Sequence, residues 1–181
     1  PLYDAREVFL FECYTGIRIS DILTLKWKHI TDEKISIRMR KTEKLLTIPI
    51  NDYVRSVLDR RRCAVENNGG KITSEKYVFN ILKVDVDEVS AQDALNAISS
   101  ATAVINKQLK KIAEQANIDK NLSTHCARHS YATALLTNNI PLPVIKEMLG
   151  HSDIKVTQIY AKVVDSKRNE VVECLNKVYH G

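Results

Sequence analysis

Six side chains in four stretches of the chain are of types that bind phosphate, transfer protons or attack phosphorus. Arginine offers a planar fork of donors that matches two oxygens of a phosphate group. Histidine and lysine transfer protons, and a tyrosine oxygen can act as a covalent nucleophile. They are Arg18 in TGIRISD (15–21), Lys41 in KTEK (41–44), His125 and Arg128 in THCARHSYAT (124–133), and His151 and Tyr160 in LGHSDIKVTQIY (149–160).

Attack on a phosphodiester uses all four residue types. Its pentacoordinate transition state concentrates negative charge on two non-bridging oxygens, which pre-placed guanidinium groups stabilise more than they stabilise the ground state. A tyrosine oxygen, with a free pKa near ~10, needs its proton removed or its anion stabilised. The leaving sugar hydroxyl needs a general acid, for which the lysine is the candidate. Because a phosphotyrosine link keeps the reactivity of the bond, a strand could be rejoined without ATP.

Each of these residues also has an ordinary structural interpretation. Arg18 could be a surface arginine paired with an acid on the same helix face, and Lys41 could belong to a solvated hairpin tip. Tyr160 could be one ring of a core. His125 and Arg128 fit such an interpretation less easily, because their i, i+3 spacing places both on one face of a helix that is otherwise apolar.

Metal and nucleotide chemistry are not indicated. The histidines lack carboxylate or thiolate partners at ligand spacing, and the five glycines of the chain form no phosphate-binding loop. No serine lies in a nucleophile-elbow pattern. The cysteines are scattered without C-x-x-C spacing and predict reduced thiols; they are Cys13, Cys63, Cys126 and Cys174. We therefore expect an enzyme that uses no metal and no cofactor.

The composition is that of an ordinary globular domain. The 181 residues are 44% hydrophobic and 27% charged, and this length suits one domain better than two. No apolar run approaches the ~18–20 residues that span a bilayer, and no signal peptide opens the chain, so we expect a cytoplasmic protein without a membrane partner. Lys and Arg exceed Asp and Glu by 27 to 22, which mildly favours a polyanionic partner.

Hydrophobic periodicity predicts an α+β fold that is mainly helical, with one small antiparallel hairpin. Apolar and polar residues alternate in ISIRMR (35–40), and LLTIPI (45–50) returns as the second strand. Asn51 and Ser90 suit helix N-caps. The predicted helices cover 2–14, 19–26, 52–66, 91–117, 124–137, 143–149 and 166–179, with a further segment near 153–160.

Two of these helices have an apolar stripe that predicts which face is buried. The expected face of the first helix is Leu2, Ala5, Phe9 and Cys13. The expected face of the longest helix is Leu95, Ile98, Thr102, Ile105, Leu109 and Ile112.

Taken in order and spacing, the four stretches resemble the catalytic domain of the tyrosine recombinases, the phage integrase family. The matching pieces are TGIRISDILTLKW, RKTEKLLTIPI, HCARHSYAT and LGHSDIKVTQIY, and the resemblance runs from about residue 5 to 165. The family implies a helical domain with a small three-stranded sheet, for which residues 77–82 are a poor third strand. Residues 1–181 would then be a catalytic-domain fragment, without the N-terminal arm and core-binding domain of full-length members.

The resemblance implies a role for each candidate residue. Arg18 and Arg128 would clamp the phosphate, and His125 and His151 would hold it and assist proton transfer. Asp21 matches the acidic residue that holds the site in shape.

The same resemblance implies the two residues that make and break bonds. Tyr160 would form a 3′-phosphotyrosine link. Lys41 would protonate the 5′-oxygen, and it is preferred to Lys44 because it directly follows the strand and precedes threonine. The choice between the two lysines stays open, because Glu43 stands where the family often has glycine.

The implied function is site-specific recombination of double-stranded DNA, as integration or excision of a mobile element or as chromosome-dimer resolution. A bacterial or mobile-element protein associated with the nucleoid is implied, with a homotetramer on DNA that exchanges a C-terminal helix (166–179). An accessory DNA-bending protein and a monomeric isolated domain are also compatible with the family. The alternatives are a non-catalytic helical DNA-binding module and an enzyme that cuts and reseals one strand like a type IB topoisomerase.

Overall fold

The fold is described from a computed structural model, which describes residues 1–151. Six α-helices and one β-hairpin account for most of this part of the chain, so the predicted mainly helical α+β class is confirmed. In chain order the elements are α1 (Leu2–Thr15), α2 (Ile19–Leu23), a 3₁₀ turn (Trp27–His29), β1 (Lys34–Arg38), β2 (Leu45–Pro49), α3 (Asp52–Asn67), α4 (Ala91–Gln115), α5 (Thr124–Thr137) and α6 (Leu142–Met148).

The end of α1 is fixed by a glycine against which α5 packs. Gly16 has φ 65°, and its N–H donates to the carbonyl oxygen of Glu12 at 2.8 Å, which ends the helix in the left-handed conformation that glycine adopts most easily. A Cβ on Gly16 would lie 2.4 Å from the Tyr131 ring of α5. The absence of a side chain therefore brings the turn that precedes Arg18 directly against α5.

The hairpin follows the predicted alternation. In the antiparallel register Ile35 pairs with Ile48 and Ile37 with Leu46, and all four side chains are buried. The first strand ends at Arg38 rather than at residue 40, because the chain turns earlier: the Met39 N–H donates to the carbonyl oxygen of Lys44 at 2.9 Å. Within residues 1–151 the sheet has two strands, whereas the family resemblance implied three.

One helix boundary and one predicted core position need correction. The second helix ends at Leu23 instead of residue 26, because the chain turns there and Lys26 forms an isolated bridge with Tyr77. In α4, Ile98, Ile105 and Leu109 are buried as expected. Leu95 is 57% exposed, because Ala94 takes the buried position in the first turn of that helix.

The buried face of α1 also differs from the prediction. Phe9 and Cys13 are only partly buried, whereas Val8 and Phe11 are fully enclosed, and Glu12 is 2% exposed. The face is therefore rotated from the expected one, and it includes a carboxyl group.

A second, smaller apolar cluster joins α5 to α6. It consists of Tyr131, Ala132, Leu136, Ile145 and Leu149. Burial of these side chains fixes where the turn after α6 lies relative to α5. The predicted segment 153–160 and helix 166–179 lie outside the described residues.

None of the helices in residues 1–151 combines the length and the apolar character needed to cross a bilayer.

Candidate active site

Five of the six predicted site residues line one cavity of about 360 Å³. Larger cavities of about 580 and 720 Å³ border α3 and contain none of these five side chains. Tyr160 lies outside the described residues. The residues that line the 360 Å³ cavity, which we call the cationic cavity, are Glu12, Arg18, Ile19, Ser20, Lys41, Thr42, Thr124, His125, Arg128 and His151.

Arg128 links the two turns that carry other site residues. Its Nη1 donates to the carbonyl oxygen of Gly16, and its Nη2 donates to that of Leu149 at 2.5 Å. The residue is 7% exposed. One guanidinium thereby ties the end of α1 to the end of α6 and is itself held in one orientation, which is the preorganisation that a phosphate-binding arginine needs.

Arg18 sits directly before α2, at its N-cap position. Its Nη1 lies 3.3 Å from the sulfur of Met39, and its Nη2 donates to the carbonyl oxygen of Gly150 at 3.4 Å. The hairpin and the turn after α6 therefore both position this guanidinium at the cavity wall.

Asp21 holds the base of the hairpin loop. Its Oδ1 accepts the Arg40 N–H at 2.9 Å, and its side chain is buried. Burial raises the pKa of this carboxyl, while the hydrogen bond from Arg40 and the charge of Arg18 oppose the rise. By anchoring residue 40, Asp21 fixes the backbone immediately before Lys41.

The hairpin loop places one of its two lysines at the cavity. Lys41 and Thr42 line it, whereas Lys44 is not among the lining residues. Glu43 between them has φ 55°, and its N–H donates to the carbonyl oxygen of Met39 at 2.9 Å. This left-handed residue turns the chain between the two lysines, so that Lys41 lines the cavity and Lys44 does not.

His125 stands in the first turn of α5, where the free N–H groups of the helix favour an anion. The Ser123 hydroxyl caps this helix by accepting the Cys126 N–H at 3.3 Å. The neighbouring His129 packs edge-on against His125, with ring centroids 4.3 Å apart, and it does not line the cavity.

His151 follows a glycine turn that ends α6. The His151 N–H donates to the carbonyl oxygen of Lys146 at 3.0 Å and the Gly150 N–H to that of Glu147 at 2.8 Å, a Schellman pattern with Gly150 at φ 61°. Burial, together with the charges of Arg128, Arg18 and Lys41, lowers the pKa of His151 to about 4. The imidazole is therefore neutral at pH 7.

Replacing Gly150 by alanine is expected to lower the free energy of unfolding by about 2–5 kcal/mol. A Cβ there would meet the sulfur of Met39 at 2.2 Å, so the overpacking of about 1–3 kcal/mol adds to the left-handed strain of about 1–2 kcal/mol. Gly69→Ala is the matched control, because Gly69 has φ 70° and no atom within 4 Å of the added Cβ. Urea unfolding of both variants measures the difference; equal losses would contradict the Met39 contact.

Among the described cavity residues, Glu12 is the ionisable one that sequence reasoning missed. The signal was present, because positions 5, 8, 12 and 15 follow helical spacing and Ala5, Val8 and Thr15 are all buried. Burial raises the pKa of Glu12 to about 9, opposed by the Arg128 charge and by a hydrogen bond from the Ile19 backbone. Its carboxyl is therefore neutral at pH 7, and the cavity keeps its positive charge.

Chemically, the cationic cavity is a concave site with two guanidinium groups, a lysine and two imidazoles around a space large enough for a phosphate group. Such a site stabilises an anion with oxygens that point in several directions. Its parts come from four places in the chain that only the fold brings together.

The sequence profile described as the phage integrase family matches residues 3–167. The tyrosine recombinase XerD of Staphylococcus haemolyticus is 33% identical over 165 residues, which cover 89% of this chain and 50% of the relative. The XerC-like tyrosine recombinase of Caldanaerobacter subterraneus is 27% identical over 96% of this chain and 49% of its own length. The chain thus spans about half the length of these curated relatives.

Solved structures of recombinases share the fold. The XerH site-specific recombinase bound to palindromic difH substrate aligns with TM-score 0.66 and 23% identity, over 93% of this chain and 44% of that one. The catalytic domain of bacteriophage HP1 integrase aligns with TM-score 0.54 and 24% identity, over 92% and 79% respectively. With the profile match along most of its length, the chain belongs to the phage integrase family.

Proposed function

We propose that the chain is the catalytic domain of a site-specific DNA recombinase that cleaves and rejoins strands through a 3′-phosphotyrosine intermediate. The observation that carries this proposal is the convergence of five cationic or proton-transferring side chains on one cavity. The last of them along the chain, His151, precedes Tyr160 by nine residues. The names of the relatives, tyrosine recombinases, support it.

In the proposed mechanism, Arg18 and Arg128 bind the non-bridging oxygens of the scissile phosphate. Arg128 is already fixed by two carbonyl oxygens and Arg18 by Met39 and Gly150. Because neither guanidinium has to be reorganised, their stabilisation acts fully on the charge that builds up in the transition state.

The proposed cleavage exchanges one bond to phosphorus for another. The Tyr160 oxygen forms a bond to phosphorus, the bond from phosphorus to the 5′-oxygen breaks, and Lys41 gives that oxygen its proton. The phenolic proton passes to His151, whose imidazole is neutral at pH 7 and whose pKa rises beside the negative charge of the phosphodiester. His125 donates a hydrogen bond to the phosphate. Attack by a free 5′-hydroxyl reverses these steps, so rejoining needs no metal, cofactor or ATP.

Double-stranded DNA is the proposed substrate. The hairpin carries Arg38, Arg40 and Lys44 as exposed cations beside Lys41, which suits contacts to phosphates flanking the scissile one. One of the structural relatives, the Tn1549 transposon integrase, is in complex with transposon right end DNA. We further propose that four copies assemble on DNA in the cytoplasm and exchange the segment 166–179. Loss of recombination on removal of residues 165–181 tests that exchange.

The test of the proposed function is covalent trapping on DNA. The chain is incubated with a pool of nicked duplexes of randomised sequence. The short strand released by cleavage diffuses away, and its loss prevents rejoining. An SDS-resistant protein–DNA adduct is expected, and mass spectrometry of its nuclease-digested form is expected to place the nucleotide on Tyr160. Sequencing of the trapped DNA then identifies the preferred site.

Tyr160→Phe, which lacks only the phenolic oxygen, is the control and is expected to give no adduct. An adduct formed by this variant would refute the nucleophile. If the wild-type chain retained DNA on a filter but never formed an adduct, the result would favour a non-catalytic DNA-binding module.

A further inference from the structure

Of the residues within 1–151 that line the cationic cavity, Glu12 is the one with an acidic side chain. It is 2% exposed, and it projects from the last turn of α1, next to the turn that carries Arg18. An ionised carboxylate in this position would repel a phosphodiester and cancel part of the charge that binds it. The fold must therefore either avoid that charge or use the group in its neutral form.

The hydrogen bonding of Glu12 separates its two oxygens. The Ile19 backbone N–H donates to the carboxyl group, while Oε2 is buried and has no hydrogen-bond partner among the described residues. A neutral carboxyl has one acceptor oxygen and one O–H donor. With its O–H at Oε2, the neutral carboxyl has a buried donor that lacks an acceptor among the described residues, which is unfavourable.

The surroundings of Glu12 supply cations and donors. Arg128 on α5 is the charge that acts on it most strongly, and the thiol of Cys13 is its neighbour in α1. The other titratable or charged groups around the cavity are Arg18, Lys41, His125 and His151. All of these except the cysteine bring positive charge or N–H donors, and a neutral imidazole adds one acceptor nitrogen. The cavity is therefore suited to admit an anion, and an oxygen of a bound phosphate is an acceptor for the Glu12 O–H.

We propose that the neutral carboxyl of Glu12 donates a hydrogen bond to a non-bridging oxygen of the phosphate group bound in the cationic cavity. The inference rests on the proposed function in taking that phosphate to be the scissile one. Glu12 then belongs to the phosphate site together with the two arginines, but it contributes a donor without adding charge. Ionisation of Glu12 replaces this donor by a repulsive anion, so anion binding weakens as pH rises through its pKa.

Inorganic sulfate tests this without DNA, because sulfate keeps the same charge from pH 6 to pH 11. Binding is followed by the ¹³C-methyl NMR signal of Ile19, which lines the cavity. The ionisation of Glu12 is followed by its ¹³C carboxyl signal, assigned by its loss in Glu12→Gln. Sulfate is expected to raise the pKa of Glu12, and wild-type affinity is expected to fall about tenfold or more once Glu12 ionises.

Two variants separate a donor from a group that only fills space. Glu12→Gln keeps a donor and an acceptor and cannot ionise, so it is expected to bind sulfate within a factor of about three of wild type at pH 7 and without the loss at high pH. Glu12→Met has a similar length and no donor, and a loss of about tenfold is expected at pH 7. If Glu12→Met bound sulfate as tightly as Glu12→Gln, or if sulfate left the Glu12 titration unmoved, the proposal would be overturned.

The adduct assay separates this proposal from the proposed function. If wild type forms the Tyr160 adduct, the same order is expected for its rate of formation, with Glu12→Gln close to wild type and Glu12→Met slower. If no variant forms an adduct while sulfate behaves as described, the recombinase function fails and the anion-binding role of Glu12 stands.

Discussion

Arg128→Lys is expected to slow covalent attachment to DNA by about 10²–10³-fold. Lysine keeps the positive charge, but it cannot replace the planar fork that contacts the carbonyl oxygens of Gly16 and Leu149. The cation then loses the two anchors that aim it at the phosphate, and the turns before Arg18 and His151 lose the side chain that joins them. The loss therefore exceeds that expected from a changed phosphate contact alone.

The same substitution is expected to reduce stability, because it leaves two carbonyl oxygens around a buried side chain without their donor. A loss of about 2–4 kcal/mol in the free energy of unfolding is expected. The matched control is Arg55→Lys, since Arg55 also donates to a carbonyl oxygen, that of Asp32 at 2.7 Å, but at the surface. Single-turnover trapping and urea unfolding measure both effects. Similar small changes in the two variants would refute the linking role of Arg128.

The elements of this fold could be predicted because local signals mark them. Alternation in β1 and the caps Asn51 and Ser90 depend on neighbouring residues alone, and each was found where it was expected. The boundary at the hairpin was less predictable. Glu43 adopts a left-handed conformation that ends the strand pairing early. A glutamate does not predict such a conformation, whereas a glycine often does.

The cavity itself could be predicted only in part. The residue types and their order indicated phosphate chemistry, and the fold brings five of the predicted residues together. Glu12 was missed because charged residues are expected to face solvent, and the spacing of Ala5, Phe9 and Cys13 suggested a different buried face. Its burial depends on α5 packing against the end of α1, a tertiary contact that the pattern within one helix does not contain.

The linking contacts are unpredictable from sequence for the same reason. The bond from Arg128 to Gly16 joins residues 112 positions apart, and the one from Arg18 to Gly150 joins residues 132 apart. A motif indicates that an arginine is present for chemistry, but not that it also holds two turns together. This double use explains why the glycine turns on either side of the cavity matter as much as the charges.

The proposed general acid allows a test in which chemistry is restored rather than only lost. Lys41→Ala is expected to slow covalent attachment by about 10²–10⁴-fold, because the 5′-oxygen then leaves without a proton. Lys44→Ala is the matched control, because Lys44 is an exposed lysine of the same hairpin loop that does not line the cavity. It is expected to change the rate by a factor of about three or less, as a surface substitution does.

Replacing the 5′-bridging oxygen of the DNA by sulfur should remove the need for this acid. A thiol with a pKa near ~8.5 leaves as the thiolate, so Lys41→Ala and wild type are expected to attach to the sulfur-containing duplex at similar rates. Arg128→Lys is expected to stay slow on the same duplex, because stabilisation of the non-bridging oxygens is still required. Rescue of both variants would point to a general effect of the better leaving group, and rescue of neither would mean that Lys41 acts by positioning the phosphate. Only selective rescue of Lys41→Ala assigns the proton to that lysine. If Lys44→Ala were instead the slow variant that the sulfur-containing duplex rescues, Lys44 would be the general acid.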